Sequence, residues 1–214
     1  MKFRCFSGYG DFYIERFDNT PRLFFSRYPA WGDAEDYLNP GAEFEGTRLL
    51  IIDGDGNFFE PLSKKKNVFI DKPVYSALSG TIGLLSFDYG RGLIEMYEYK
   101  PGEKEAVILT SLPLEKGGDL INLRIEKEPF TLAKTEIHAC LVRFIYPFEK
   151  TFELEKNETL FCLDGGRFIT SKWIEDPVYR EEIITRDLSD GKILSRERGH
   201  ITEMPDGTVW KTVR

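Results

Sequence analysis

The chain has 214 residues, of which 41% are apolar and 30% charged, which excludes the disordered class and leaves enough chain for a sizeable core. Its formal net charge of −7 argues against nucleic acid as a partner, because an acidic surface repels phosphate backbones. No segment approaches the roughly 20 apolar residues that cross a membrane, so we expect no membrane partner. Residues 1–17 lack the apolar core of a signal peptide, so we expect a cytoplasmic protein.

The first predicted element is a hairpin at residues 3–17, where apolar and polar residues alternate with the period of a strand. Residues 18–46 depart from this pattern. They contain one strand candidate, RLFFSRY, and a helix signal of one or two turns at residues 33–38. The rest of the segment consists mainly of turn formers, aromatic residues and acids. We therefore predict an irregular loop over residues 18–46.

The loop at residues 18–46 is the first candidate binding surface. Loops of this length inside compact domains are uncommon and are often functional. Tyr28 and Trp31 could pack on a ligand face, with Arg27 and Asp33 as polar partners. The alternative is a long connection that covers the end of a sheet with its own aromatic side chains.

Five segments of the chain repeat one pattern, in which a strand, a glycine or proline turn and a second strand follow each other. Their turns fall near Gly54, Arg91, Glu128, Gly165 and Gly207, spaced roughly 40 residues apart. Further strand candidates lie between these hairpins. Four antiparallel strands in about 40 residues form the repeat unit of a propeller blade.

The pattern predicts an all-β fold, and specifically a five-bladed β-propeller in a single domain of residues 1–214. The N- and C-terminal strands would close one blade together, so that no unprotected sheet edge is left at the seam. A β-sandwich or barrel, in which the repeats are only successive hairpins, is the alternative. The predicted blades are residues 48–75, 82–112, 120–155, 159–197 and a composite of 200–213 with 2–17.

Residues 53–57, DGDGN, resemble the start of a calcium-binding loop. The EF-hand pattern also needs Gly at position six and Glu at position twelve. Phe58 and Lys64 stand at these positions. Asp-Gly at a hairpin tip is explained by the left-handed backbone that the turn requires. We predict no metal site.

The two histidines give no metal-ligand set, because they lie far apart in the sequence. His138 alternates with apolar neighbours and is predicted to be a partly buried strand residue. His200 opens the last repeat and could face a central channel, which makes it a candidate ligand-binding residue. No serine lies in a G-x-S-x-G turn and no glycine-rich phosphate loop is present, so we predict no catalytic site and no cofactor.

Paired carboxylates leave one enzymatic alternative open. Some five-bladed propellers are glycoside hydrolases, in which acids from different blades meet around the channel. Asp11, Asp88, Asp164 and Glu203 lie near predicted strand ends and could supply such a pair. Hairpin turns explain Asp88 and Asp164 without catalysis, and the chain lacks the long loops that build a deep sugar-binding cleft.

The repeated hairpins and the ring-closing termini resemble β-propeller repeat proteins in general, of the loosely patterned TolB-like and WD40-like kind. The resemblance covers nearly the whole chain, but Gly-His occurs only once, at residues 199–200, and Trp-Asp does not occur. It implies a platform for binding, often at the channel mouth. The leading hypothesis is a propeller module that binds an unidentified small molecule or protein, with a carbohydrate-active hydrolase as the alternative.

Overall fold

The computed structural model describes residues 13–29, 32–37 and 43–213. The chain divides into two compact units, Met1–Leu120 and Ile121–Arg214. In these ranges all strands pair antiparallel, and the only helices are short 3-10 turns at Ala34–Tyr37 and Leu114–Gly117. The all-β class predicted from the sequence is therefore confirmed.

The first sheet of the N-terminal unit is a four-stranded meander in sequence order. Its second strand is the RLFFSRY candidate within residues 18–46, so this segment begins as regular structure. The third strand is buried at four of its six positions, because strands pair with it on both sides. The strands are β1 (Glu15–Arg16), β2 (Leu23–Tyr28), β3 (Arg48–Asp53) and β4 (Phe58–Phe59).

The second sheet of the N-terminal unit has five strands, namely β5 (Val68–Ile70), β6 (Val74–Ser76), β7 (Thr81–Asp88), β8 (Leu93–Tyr99) and β9 (Val107–Pro113). All eight residues of β7 are buried, because β8 flanks it on one side and both β5 and β6 pair with it. Apolar side chains of the two sheets share one core, which includes Phe25, Leu49, Ile51, Ile70, Ile82 and Leu84.

The C-terminal unit also contains two meanders in sequence order. The first consists of β10 (Leu123–Glu126), β11 (Thr131–Glu136), β12 (Leu141–Tyr146) and β13 (Lys150–Glu153). The second consists of β14 (Glu158–Asp164), β15 (Arg167–Ile174), β16 (Arg180–Asp187), β17 (Ile193–Glu203) and β18 (Val209–Val213). A shared core joins them through Val142, Phe144, Leu160 and Phe168 among others.

The strand pairing differs from the five blades predicted from the sequence. Residues 48–75 do not form one blade, because β3 and β4 pair with the first sheet whereas β5 and β6 pair with β7. Residues 200–213 continue the sheet that begins at Glu158, since β17 pairs with both β16 and β18. The described strands thus form four sheets, five blades are not shown, and none of these sheets closes into a barrel. The period of the repeat locates hairpins, but it does not say which hairpins share a sheet.

Within the described residues, no helix has both the length and the apolar character that crossing a lipid bilayer would require.

Candidate functional site

A cleft of about 330 Å³ lies in the C-terminal unit, where the start of β16, the middle of β17 and the end of β18 meet. It is open to solvent, and its walls combine charged groups with the ring of a tyrosine and an aliphatic side chain. The lining residues are Tyr179, Arg180, Glu181, Arg198, Gly199, His200, Thr212 and Val213. The cleft contains one residue predicted from the sequence as a ligand contact, His200.

The cleft forms where β17 changes its pairing partner. Residues 193–198 of this strand pair with β16, and residues 199–203 pair with β18. Gly199 is the first residue of β17 that pairs with β18. A Cβ atom at this position would lie 2.1 Å from the carbonyl oxygen of Thr212, so only glycine lets β18 approach this closely. This approach brings the residues of three strands around one cavity.

Three polar side chains in the cleft form an ordered set. The carboxylate of Glu181 accepts a hydrogen bond from the Tyr179 hydroxyl at 2.7 Å and contacts Nδ1 of His200 with its other oxygen. An ionised carboxylate only accepts hydrogen bonds, so Nδ1 carries the hydrogen and Nε2 is left as the second ring nitrogen. The side chain of His200 is 60% exposed. Glu181 therefore orients an accessible imidazole.

The charge state of this set follows from its hydrogen bonds. Bonds from Tyr179 and then His200 outweigh the effect of burial and hold the pKa of Glu181 below its usual range. The bond to Glu181, together with desolvation, raises the pKa of Tyr179. Glu181 is thus anionic and Tyr179 is protonated at neutral pH, and the two arginines in the lining add positive charge.

Three predicted site residues of the N-terminal unit, Arg27, Tyr28 and Asp33, do not line this cleft. Arg27 is 11% exposed, and its guanidinium donates to the carbonyl of Ile70 at 3.2 Å and lies 5.3 Å from the centre of the Phe69 ring. Tyr28 and Asp33 are exposed, and Trp31 lies outside the described residues. Arg27 thus connects two sheets of its unit.

Two aromatic rings of residues 18–46, those of Tyr37 and Phe44, pack onto their own unit. The ring of Tyr37 stacks on Phe69 with 5.0 Å between centroids and lies 4.6 Å from the ring of Phe44. The hydroxyl of Tyr89 donates to the carbonyl of Ala34 at 2.5 Å, and burial raises the pKa of Tyr89. These contacts favour the covering role for this segment over a ligand-binding role.

The calcium-like sequence at residues 53–57 forms a hairpin turn. The carboxylate of Asp53 accepts hydrogen bonds from the backbone of Asp55 at 2.9 Å and Asn57 at 2.8 Å, and from the Asn57 side chain at 2.7 Å. Although desolvation raises the pKa of Asp53, these bonds outweigh it and lower the pKa overall. Across the part of the chain that the structure describes, no group of three or more His, Cys, Asp or Glu side chains is placed to hold a metal ion.

The described carboxylates of the hydrolase alternative are engaged in ion pairs or lie at a turn. Asp88 and Glu95 are both bonded to Arg91 at 2.6 Å. Glu203 is bonded to Lys127 at 2.6 Å. Asp164 is exposed at the hairpin between β14 and β15, and Asp11 lies outside the described residues.

Sequence reasoning missed most of the cleft. Glu181 and Arg198 fall in a segment that the pattern predicts only as strand, and Tyr179 precedes that segment. One signal could have found part of it, because Arg196, Arg198 and His200 alternate along β17 and so share a strand face. The prediction that His138 is a partly buried strand residue was wrong, because this residue lies exposed in the turn between β11 and β12.

No protein-family model matches the chain, and a search of curated proteins finds no relative.

Proposed function

We propose that this protein is a binding module and that the cleft of β16, β17 and β18 receives its ligand. The observation that carries the proposal is the accessible His200 imidazole at a cleft of about 330 Å³, which contacts Glu181, itself bonded to Tyr179. Ligand pockets span about 300–1,000 Å³ and contain a few well-placed polar groups. The cleft has both properties.

Three polar groups of the cleft, those of Tyr179, Glu181 and His200, are connected by hydrogen bonds before any ligand arrives. Tyr179 and Glu181 are held by their mutual hydrogen bond, and His200 lies on the central strand of the three. A side chain that is already ordered loses little conformational freedom on binding, so more of its interaction energy contributes to affinity. The arrangement supports recognition of a small ligand.

A cleft-filling substitution tests the proposal. Thr212→Trp adds a large ring at the lining, on an exposed strand position that tolerates aromatic residues. We expect compounds that raise the melting temperature of the native chain to have no effect on this variant, because a ligand stabilises a protein only when it binds the folded state. The measurement is a thermal-shift screen of a metabolite library.

Thr202→Trp is the matched control, since Thr202 is exposed on β17 and does not line the cleft. It should respond to the library as the native chain does. Hits that bind the Thr212→Trp variant equally well would place the ligand site elsewhere, and a library without any cleft-dependent hit would count against the proposal.

The hydrolase alternative receives less support. A glycoside hydrolase needs two carboxyl groups about 5–10 Å apart that face the scissile bond. Asp88 is occupied by Arg91 and Glu203 by Lys127, so each carboxylate serves an ion pair within its own unit. We keep binding as the proposed function.

The five-bladed propeller remains a proposal about architecture. It is supported by the meander order of three of the four described sheets, which is the strand order of a propeller blade. If the terminal strands close one blade, the amides of β18 that point away from β17 should exchange slowly in deuterated solvent. Deletion of residues 1–17 should then speed their exchange. Fast exchange at these amides in the native chain would contradict ring closure.

A further inference from the structure

We propose that the cleft binds a phosphate monoester of small-metabolite size, held by Arg180, Arg198 and the protonated imidazole of His200, an inference that rests on the proposed binding function.

The cleft carries an excess of positive charge. Arg180 and Arg198 both line it, and the carboxylate of Glu181 offsets only one of them. Protonation of His200 adds a further positive charge. The chain as a whole carries a formal net charge of −7, so this local excess stands out against an acidic protein. A charge of one sign lining a concave site concentrates ions of the opposite sign there.

The donors of the cleft match the acceptors of a phosphate group. Guanidinium groups pair well with phosphate oxygens, often through two parallel hydrogen bonds. Because Glu181 contacts Nδ1 of His200, the proton gained on acidification lies on Nε2, which then becomes a third donor. A phosphate monoester offers three terminal oxygens to these three groups, whereas a carboxylate offers two.

The size of the cleft limits the rest of the ligand. A volume of about 330 Å³ lies near the lower end of the range of ligand pockets. The ring of Tyr179 and the side chain of Val213 provide the apolar part of the lining. A small sugar phosphate fits these limits better than a nucleic acid, whose backbone the acidic remainder of the protein would repel.

The proposal predicts a direction for the effect of pH. The charged groups that line the cleft with His200 are Glu181 and Arg180 on β16 and Arg198 on β17 itself. The titratable Tyr179 lies just before β16. Strand β18 contributes only the uncharged Thr212 and Val213. A protonated imidazole adds a positive charge beside the two arginines. Glu181 stays ionised as the imidazole gains its proton, because its hydrogen bonds lower its pKa. Anion affinity should therefore rise as the pH falls.

The first experiment compares four probes on the full chain by isothermal titration calorimetry. These are ribose 5-phosphate, inorganic phosphate, ribose and acetate. We expect both phosphate compounds to bind and ribose and acetate to fail. Arg198→Met should weaken the binding of ribose 5-phosphate by about tenfold or more, because it removes charge-assisted hydrogen bonds. Arg167→Met, an exposed arginine on β15 outside the cleft, should bind as the native chain does.

The second experiment measures the effect of pH with sulfate, which stays a dianion throughout, whereas a phosphate monoester titrates near pH 6. Sulfate affinity of the native chain should rise several-fold between pH 8 and pH 5.5. In His200→Gln the rise should be smaller, because glutamine gains no proton. Equal pH dependence in the two proteins would overturn the role of His200.

The outcomes separate this inference from the proposed function. Ribose or acetate binding in the cleft as tightly as phosphate would overturn the phosphate class and leave the cleft as a binding site. Phosphate binding that Arg198→Met leaves unchanged would overturn the inference as well. If Arg198→Met does not fold, Arg180→Met and Arg198→Lys supply the same comparison, with the lysine variant expected to lose only part of the affinity.

Discussion

Replacing Arg186 with methionine is expected to lower the free energy of unfolding of the C-terminal unit by about 3–5 kcal/mol. Arg186 is 8% exposed and its partner Glu158 is 0% exposed. The guanidinium donates to both carboxylate oxygens of Glu158 at 2.8 Å and to the carbonyl of Gly191 at 3.0 Å. Methionine removes these donors and leaves a buried carboxylate without a counter-charge.

The remaining bonds to Glu158 do not compensate for this loss. The carboxylate also accepts hydrogen bonds from the Thr170 hydroxyl at 2.5 Å and from the backbone of Glu155 at 2.7 Å, but neither donor is charged. The double variant Glu158→Leu with Arg186→Met should recover much of the stability, because removing both charges of a buried pair costs far less than removing one.

The measurement is urea unfolding of the full chain, followed by a probe in the C-terminal unit. Arg143→Met is the matched control in the same unit. Its partner Glu136 is half-exposed and lies 3.0 Å away, so loss of this pair should cost at most about 1 kcal/mol. If Arg186→Met destabilised the unit no more than the control, the Glu158–Arg186 pair would not contribute to the free energy of unfolding as proposed.

Replacing Gly46 with alanine is expected to destabilise the N-terminal unit by about 3–5 kcal/mol, as the sum of a left-handed backbone penalty and overpacking. The φ angle of Gly46 is +85°, and an added Cβ would lie 1.8 Å from the carbonyl oxygen of Lys65. The clash is with backbone, so a rotation of a side chain cannot relieve it.

Hydrogen bonds on both sides of Gly46 hold it against this neighbouring segment. Phe44 donates its backbone N–H to the side chain of Asn67 and accepts from the Asn67 N–H, both at 3.0 Å. Thr47 donates to the carbonyl of Val68 at 2.8 Å. The two segments can therefore separate only by breaking these bonds, which is why we expect a large effect.

Gly92→Ala is the control for Gly46→Ala. Gly92 has a φ of +66°, and an added Cβ would meet nothing within 4 Å. This variant should show only the backbone penalty of about 1–2 kcal/mol. The comparison uses melting temperatures of the two variants, and equal shifts would show that the contact with Lys65 adds no cost.

The sequence predicts the elements of this fold better than it predicts their grouping. The predicted four-stranded unit at residues 120–155 corresponds to the meander of β10 to β13, and the turns predicted near Arg91 and Gly165 lie between β7 and β8 and between β14 and β15. The division of residues 48–75 between two sheets depends on contacts distant in sequence, such as those of Phe25 and Ile82 in their shared core. A local pattern contains no information on such contacts.

The candidate site was predicted only at His200. The pattern places this residue at the start of the last repeat, but its partner Glu181 lies on another strand. That contact exists because β17 continues past Gly199 and pairs with β18 beyond it. Strand periodicity cannot indicate a change of pairing partner. By contrast, Arg27 was expected as a polar partner at a ligand surface, and in the structure its guanidinium lies over the ring of Phe69 and donates to the carbonyl of Ile70.

The central claim, that the cleft of β16 to β18 is the ligand site, is tested most directly by amide chemical-shift mapping in solution. Isotope-labelled native chain is titrated with a compound that raises its melting temperature. The account predicts the largest shifts at residues 179–181, 198–200 and 212–213, which line the cleft. Shifts concentrated in the N-terminal unit, or on strands of the C-terminal unit away from these residues, would contradict it.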